Sequence, residues 1–325
     1  MSTAPTDPRP KFLSSLDLAG LRVQSRPIRI FFCGGPVKSV SEPVVSARDY
    51  VIRHLFDKHP DIANDIVLAE QIRDWLDFAT YEDLITFEKH LAHFATAIVL
   101  FIESPGSIAE LGAFSLTHEI AHKLLVFVRE DHYESKSYIR LGPLSFIEKF
   151  YPTSQVNVYP WTENIRIILG ACDSRLCTSS IEDHITDISN DIYEFLTKPT
   201  RPKTEQFTTA DEGHRMLLMS DLVGLFLALT KSELDRFLRM LGIHLEPSRL
   251  TQYLFVCEKL GVLTLHPYSG ERYFIRTDDS PLIRYSTTGE SRLVDRLKLK
   301  EKARTYYDQT DDKRLRALRH FRKGS

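Results

Sequence analysis

The sequence predicts a mixed α/β chain in two domains: an open parallel sheet, then a smaller helical domain that ends in a β-hairpin. Three observations lead there. Short apolar runs of β-favouring residues at 28–33, 66–69, 97–102, 124–128 and 155–159 alternate with stretches of helical spacing, the pattern of βαβ units. A stretch rich in Lys, Pro and Thr at 198–204 then reads as a linker. Beyond it, three helical stretches precede two strands turned at Ser-Gly, which spells a winged helix-turn-helix.

At 325 residues two domains are expected, and 42% hydrophobic content suffices for ordinary cores. The formal charge of −2 argues against a wholly basic nucleic-acid binder, so any such surface is local. The gap between Cys172 and Cys177 fits neither a common zinc spacing nor a redox motif, and with Cys33 and Cys257 far away, free thiols in a reducing cytosol are expected. The first residues lack the character of a signal peptide, and no apolar run is long enough to span a bilayer. A soluble, cytoplasmic protein with no membrane partner is therefore expected. The expected boundaries are an N-terminal extension at 1–26, the sheet domain at 27–197, a linker at 198–209, the winged helix at 210–278 and a basic tail at 279–325.

Taken in order, residues 12–21 after the proline-rich start make a short helix expected to cover the sheet. The strand at 28–33 ends in Cys33-Gly34-Gly35, where glycines let a ligand approach the backbone closely. Helical spacing follows from Val44 to His59. The strand at 66–69 ends at Glu70, a candidate ligand for a sugar hydroxyl, and Asp74 and Asp77 beyond it read as solvated helix charges. A helix at 81–95 carries Glu88, which on its own reads as a surface salt-bridge partner.

The central stretch is Ile98 to Ser115: a buried strand, a Ser-Pro-Gly-Ser turn, then a helix. Glu110 is placed in the first turn of that helix, at the sheet edge where open α/β folds bind ligands. The unpaired N–H groups and partial positive charge of a helix start keep a carboxylate ionised. Glu110 is thus a candidate nucleophile toward a sugar carbon, with Ser104, Gly106 and Ser107 around it. The amides of 106–108, together with Gly34 and Gly35, are expected to cradle phosphate or ribose. The plain alternative is a first-turn acid that merely suits the dipole.

The next helix holds a rival. His118-Glu119-Ile120-Ala121-His122 satisfies H-E-x-x-H, the zinc-protease signature. No third ligand follows at the metzincin spacing, and 100° per residue sets Glu119 about 180° round the helix from Glu110. His118 and His122 are expected on the helix surface or in a sheet-facing hydrogen bond, and no metal or cofactor is expected. The strand at 124–128 leads to a polar loop from which Tyr138 or Arg140 reaches a phosphate, or which is simply an exposed connection. A helix at 181–196 closes the domain.

In the second domain, helices at 217–229, 230–242 and 247–260 precede the hairpin at 262–275; Gly242 and Gly261 stand at helix ends. If this module reads a duplex, helix 247–260 enters the major groove with Arg249 and Gln252 outward, and His266 and Arg272 on the wing meet phosphates. Many such modules instead bind protein. From Arg292 onward basic residues far outnumber acids, which suits phosphate binding and equally a solvated terminal helix.

The two strand ends, with Phe87-Glu88-Lys89-His90-Leu91 between them, resemble the nucleoside deoxyribosyltransferase family, whose Gly-Thr-x-x-Glu turn supplies a Glu that attacks the anomeric carbon of a nucleoside. The matching residues are Gly106-Ser107-Ile108-Ala109-Glu110. The patterns Phe-x-Cys-Gly-Gly, Glu-Ser-Pro-Gly-Ser-x-x-Glu-Leu-Gly-Ala-Phe-Ser and Ser137-Tyr138-Ile139-Arg140-Leu141-Gly142-Pro143 are more similar still to the deoxyribosyltransferase-like effectors of bacterial retrons, which also carry a DNA-binding-like C-terminal domain. The resemblance implies a Rossmann-like sheet domain, Glu110 as nucleophile and Glu88 as a ribose contact. The classical transferases have an acid where Ser104 stands and an Asp where Glu88 stands, so cleavage of a larger ribosyl nucleotide such as NAD is expected over transfer between bases. The retron resemblance implies a toxin held in check by a reverse transcriptase and its RNA-linked single-stranded DNA until phage infection, and an oligomer or higher assembly is expected. The competing class is a DNA-binding regulator that senses a nucleotide without cleaving it.

Overall fold

In chain order the strands are β1 Arg22–Val23, β2 Ile30–Cys33, β3 Ile66–Val67, β4 Ala97–Phe101, β5 Leu124–Arg129, β6 Gln155–Tyr159, β7 Glu205–Gln206, β8 Leu263–Tyr268, β9 Glu271–Arg276 and β10 Ile283–Arg284. The computed structural model describes residues 5–24, 29–72, 80–161, 175–197, 204–288 and 294–324, without the side chains of 175–183 and 324. Asp74, Asp77, Cys172, Arg292 and the linker residues 198–203 lie outside the described residues. The chain divides into two compact units, Ile28–Gln71 with Leu91–Arg201, and Met1–Pro27 with Ile72–His90 and Pro202–Ser325.

The first unit is built on a five-stranded sheet in the order β3-β2-β4-β5-β6, parallel throughout. Its strands are nearly continuous apolar runs because both faces are covered. On one face Phe32, Val99, Phe101 and Phe127 pack with Val51 and Leu55 of helix Ala47–Lys58 and Ile188 and Ile192 of helix Arg175–Thr197. On the other, the Phe31 ring meets Phe114 of helix Pro105–Ser115 with centroids 6.3 Å apart. The chain lays β3 on one side of β2 and then crosses to lay β4 on the other. In open α/β sheets such a reversal leaves a crevice at the carboxyl ends of the two strands, and ligands bind there.

The second unit holds the antiparallel sheet β10-β1-β7, the hairpin β8-β9, and helices Glu212–Leu225, Lys231–Met240, Pro247–Lys259, Arg296–Thr310 and Asp312–Gly324. The N-terminal residues, expected to cover the parallel sheet, pack here instead. Helix Pro8–Ser14 sets Phe12 against Phe226 and Tyr285, and β1 needs both β7 and β10 to satisfy its backbone. The basic C-terminal stretch is not a solvated tail: its two helices bury Leu299, Ala303, Tyr307, Ala317 and Leu318. Cys33 and Cys257 are buried free thiols, and no described helix is long and apolar enough to cross a membrane.

Candidate active site

The crevice edge is assembled by Glu103, which leaves β4 directly. Its Oε1 accepts the amides of Gly35 at 2.8 Å and Arg48 at 3.1 Å, and its Oε2 accepts the Ala47 amide at 2.7 Å. One carboxylate thus ties the end of β2 and the start of helix Ala47–Lys58 to β4, satisfying amides that a helix start leaves unpaired. Burial pushes the Glu103 carboxyl upward, against the pull of these three amides and of Arg48. This contact also explains the glycine pair. A Cβ on Gly35 would stand 2.7 Å from Ser46 Cβ and 2.9 Å from Glu103 Cδ, and Gly34, at φ +150°, would meet Phe101 Cβ at 2.9 Å. The space over Gly34 and Gly35 belongs to protein side chains, in place of the close ligand approach expected from the sequence.

Ser104 and Ser107 build the turn. Ser104 is the N-cap of helix Pro105–Ser115, and the two serines exchange backbone-to-hydroxyl bonds at 3.1 and 3.0 Å as a capping box. Ser107 is buried, and its hydroxyl donates to the Ser104 carbonyl at 2.9 Å. The amides of Ser107 and Ile108 both go to Ser104, so they are not the expected cradle for phosphate.

Glu110 is the sixth residue of this helix, in its second turn; the first turn holds no acid. The helix start is therefore not what holds its charge, contrary to the expectation from the sequence, because the dipole acts mainly within the first turn. Instead the half-buried carboxylate accepts a hydrogen bond from the Cys33 thiol, while its buried Oε2 has no hydrogen-bond partner among the described residues. Burial raises its pKa above the ordinary carboxylate value; the positive charge of Arg48 opposes this and Glu70 adds to it.

Arg48 is the cation of the site. It is buried, donates from Nη1 to the Phe32 carbonyl at 2.9 Å, and pairs through Nη2 with Glu70. Its Nε is buried without a hydrogen-bond partner. Glu70 is exposed on the turn Ala69–Gln71 that follows β3. The structure therefore brings Cys33, Glu70 and Glu110 together at one sheet edge, and adds Arg48 and Glu103, which sequence reasoning passed over. Their signals were present: Ser46-x-x-Asp49 is a helix-start pattern that puts Arg48 in the first turn, and Glu103 is the first polar residue after an apolar strand.

Other candidates stand elsewhere. Glu88 is half-buried on helix Leu84–Phe94, in the segment Ile72–His90 that belongs to the second unit. The H-E-x-x-H run forms a four-residue helix, His118–Ala121, with His122 as its cap and the two imidazole centroids 6.2 Å apart. Among the described residues no group of three His, Cys, Asp or Glu is placed to hold a metal. The expected polar loop begins with helix Glu130–Glu134; Arg140 lies over the Tyr133 ring and pairs with Glu148 at 3.0 Å, and Tyr138 is exposed.

Within the second unit, Arg249 and Gln252, expected to face outward, are half-buried and bonded to neighbouring residues. Gln252 donates to the Thr80 carbonyl at 3.2 Å and accepts at its own carbonyl from Tyr81, also at 3.2 Å. Arg249 reaches His90 and, at 3.4 Å, Glu212. Fully buried His90 joins this cluster, 2.7 Å from the Tyr81 hydroxyl and 2.8 Å from Glu212. Arg272 is exposed on β9, and half-buried His266 faces His320 at 3.2 Å.

Comparison with known proteins adds independent findings. Residues 44–265 match the family described as "STM3845 retron effector protein". Two Escherichia coli proteins are similar: "Retron Ec86 putative ribosyltransferase/DNA-binding protein", 32% identical over 38% of this chain and 38% of that one, and "Retron Ec73 putative ribosyltransferase/DNA-binding protein", 28% identical over 53% of this chain and 51% of that one. The matches span about half or less of the length of these relatives.

Proposed function

Because the chain belongs to the STM3845 retron effector family, we propose that it acts as an N-glycosidase in which Glu110 attacks C1′ of a ribosyl nucleotide, with NAD the expected substrate. One observation carries this reading: at the strand reversal of a parallel sheet, a half-buried carboxylate stands between the Cys33 thiol and the field of buried Arg48, with one oxygen left without a partner. A carboxylate with a raised pKa is a better nucleophile than an ordinary one once ionised, and the positive charge of Arg48 favours the ionised form against the burial that raises the pKa.

In the proposed reaction a Glu110 oxygen bonds to C1′ while the C1′–N bond breaks through an oxocarbenium-like state, as in retaining glycosidases. The electrons of the broken bond leave with the base. In NAD the departing ring nitrogen is already cationic and leaves neutral, so no acid is needed to protonate it. Water then adds to C1′ and loses a proton, releasing the carboxylate and the ribosyl product. Glu70 takes a ribose hydroxyl in this scheme, while Ser104, Ser107 and the glycine pair hold the edge in shape. The unit containing the three helices and hairpin β8-β9 acts as a winged helix that contacts nucleic acid, a reading supported by the DNA-binding label of both relatives. Family membership supports control by a reverse transcriptase and its RNA-linked DNA.

The test is release of free base from NAD and from nucleosides by the purified protein, alone and with its reverse transcriptase and RNA-linked DNA. Wild type releases nicotinamide, and Glu110→Gln does not. Equal release by the two proteins overturns the assignment, and binding of NAD with no release by either indicates a nucleotide-sensing regulator.

A further inference from the structure

Residues of β2 alternate between the two faces of the parallel sheet. Ile30 and Phe32 join the core on the face of helix Ala47–Lys58, so Phe31 and Cys33 look toward helix Pro105–Ser115, where the Phe31 ring meets Phe114. Glu110 precedes Phe114 by four residues and shares its helix face one turn earlier. This helix crosses over between the parallel strands β4 and β5 and therefore runs back against them. Two residues of strand cover about 6.6 Å and four of helix about 6 Å, so Phe31 against Phe114 sets Cys33 against Glu110.

Accepting the glycosidase reading, on which this step rests, we propose that Cys33 is the positioning residue of the nucleophile: its thiol fixes the orientation of the Glu110 carboxylate and makes no contact with substrate. The thiol donates a hydrogen bond to that carboxylate. Because Oε2 has no hydrogen-bond partner among the described residues, the bond falls on Oε1. Cys33 is only 2% exposed, so a ribose in the crevice meets the carboxylate and not the thiol.

The last torsion of a glutamate is soft and nearly two-fold, so a carboxylate that nothing holds turns easily about its final bond. The charged groups that act on Glu110 are Arg48 of helix Ala47–Lys58 and Glu70 of the turn after β3. They act through their fields, since Arg48 spends Nη1 on the Phe32 carbonyl and Nη2 on Glu70. The directional bond comes from the thiol. A thiol suits this task because it is a weak donor: it aims the carboxylate while leaving on it most of the charge that an attacking oxygen needs.

Two substitutions in the full chain test this. Cys33→Ala removes the donor and should lower kcat for base release from NAD roughly three- to tenfold with KM unchanged. A donated bond favours the ionised carboxylate, so its loss should also move the acid limb of the pH–rate profile upward. Cys33→Ser restores a donor, and a stronger one, so kcat should recover while the acid limb moves below that of wild type. A readout without substrate is the carboxyl carbon-13 signal of Glu110, identified by its loss in Glu110→Gln: it should titrate higher in Cys33→Ala and lower in Cys33→Ser than in wild type. Where Cys33→Ala does not fold, the downward move in Cys33→Ser carries the test. Equal titration of Glu110 in wild type and variants, or a raised KM with kcat unchanged, overturns the positioning role. Wild type that releases no base overturns the glycosidase reading, and the titration then decides by itself whether the thiol holds the carboxylate.

Discussion

Glu110 and Glu233 are both partly buried carboxylates beside buried arginines, one in each unit, and they are opposites. Glu233 accepts from Arg9 at 2.6 Å, from Arg314 at 2.8 and 3.0 Å, and from the Thr230 amide at 3.0 Å. Burial works against its charge, but these bonds outweigh it and hold the carboxyl below its ordinary value. Glu110 receives one thiol hydrogen bond, keeps an oxygen unmatched, and sits above its ordinary value. Fully matched buried charge locks packing, whereas incompletely matched buried charge stores the reactivity that a nucleophile needs.

Substitutions can break this contrast. The largest effect is expected on chemistry: Glu110→Gln should lower base release by about three orders of magnitude or more, read by chromatography of the free base. Arg314→Ala takes two charge-assisted bonds from Glu233 in the second unit, leaving those of Arg9 and the Thr230 amide, and should cost roughly 1.5–3 kcal/mol in urea denaturation. Arg48→Met should shift the acid limb of the pH–rate profile upward, because the nucleophile works ionised and loses the charge that opposes its protonation; activity falls more at acid than at alkaline pH. Ser104→Ala should cost about 1 kcal/mol as a lost helix cap with KM nearly unchanged, whereas a ligand role for Ser104 would raise KM. The smallest effect sharpens the comparison. Since ionised Glu110 is disfavoured by folding, Glu110→Gln should melt higher than wild type at neutral pH, and the gain should vanish as pH falls below the ordinary carboxylate range.

Much of the fold was legible. Each of the five parallel strands falls within two residues of its apolar run, since strands covered on both faces carry a continuous signal, and Thr230 and Gly242 mark helix ends through local chemistry. At the site, the strand-turn-helix unit carrying Glu110 was readable, but its helical turn was misplaced because Pro105 begins the helix earlier than expected. Arg48 and Glu103 were not readable as partners because their contacts join segments more than fifty residues apart. The same distance hid Arg9, whose partner Glu233 lies 224 residues away, and it made Arg249 and Gln252 look free.

By itself the sequence determined the order of strands and helices and the motif that puts one glutamate just beyond a strand, because these follow from periodicity, turn chemistry and caps within a few residues. Only the tertiary structure decided which arginine faces that glutamate, why two glycines precede it, and which arginines hold Glu233. Charge and burial at a point depend on every segment brought there, and distance along the chain does not encode that.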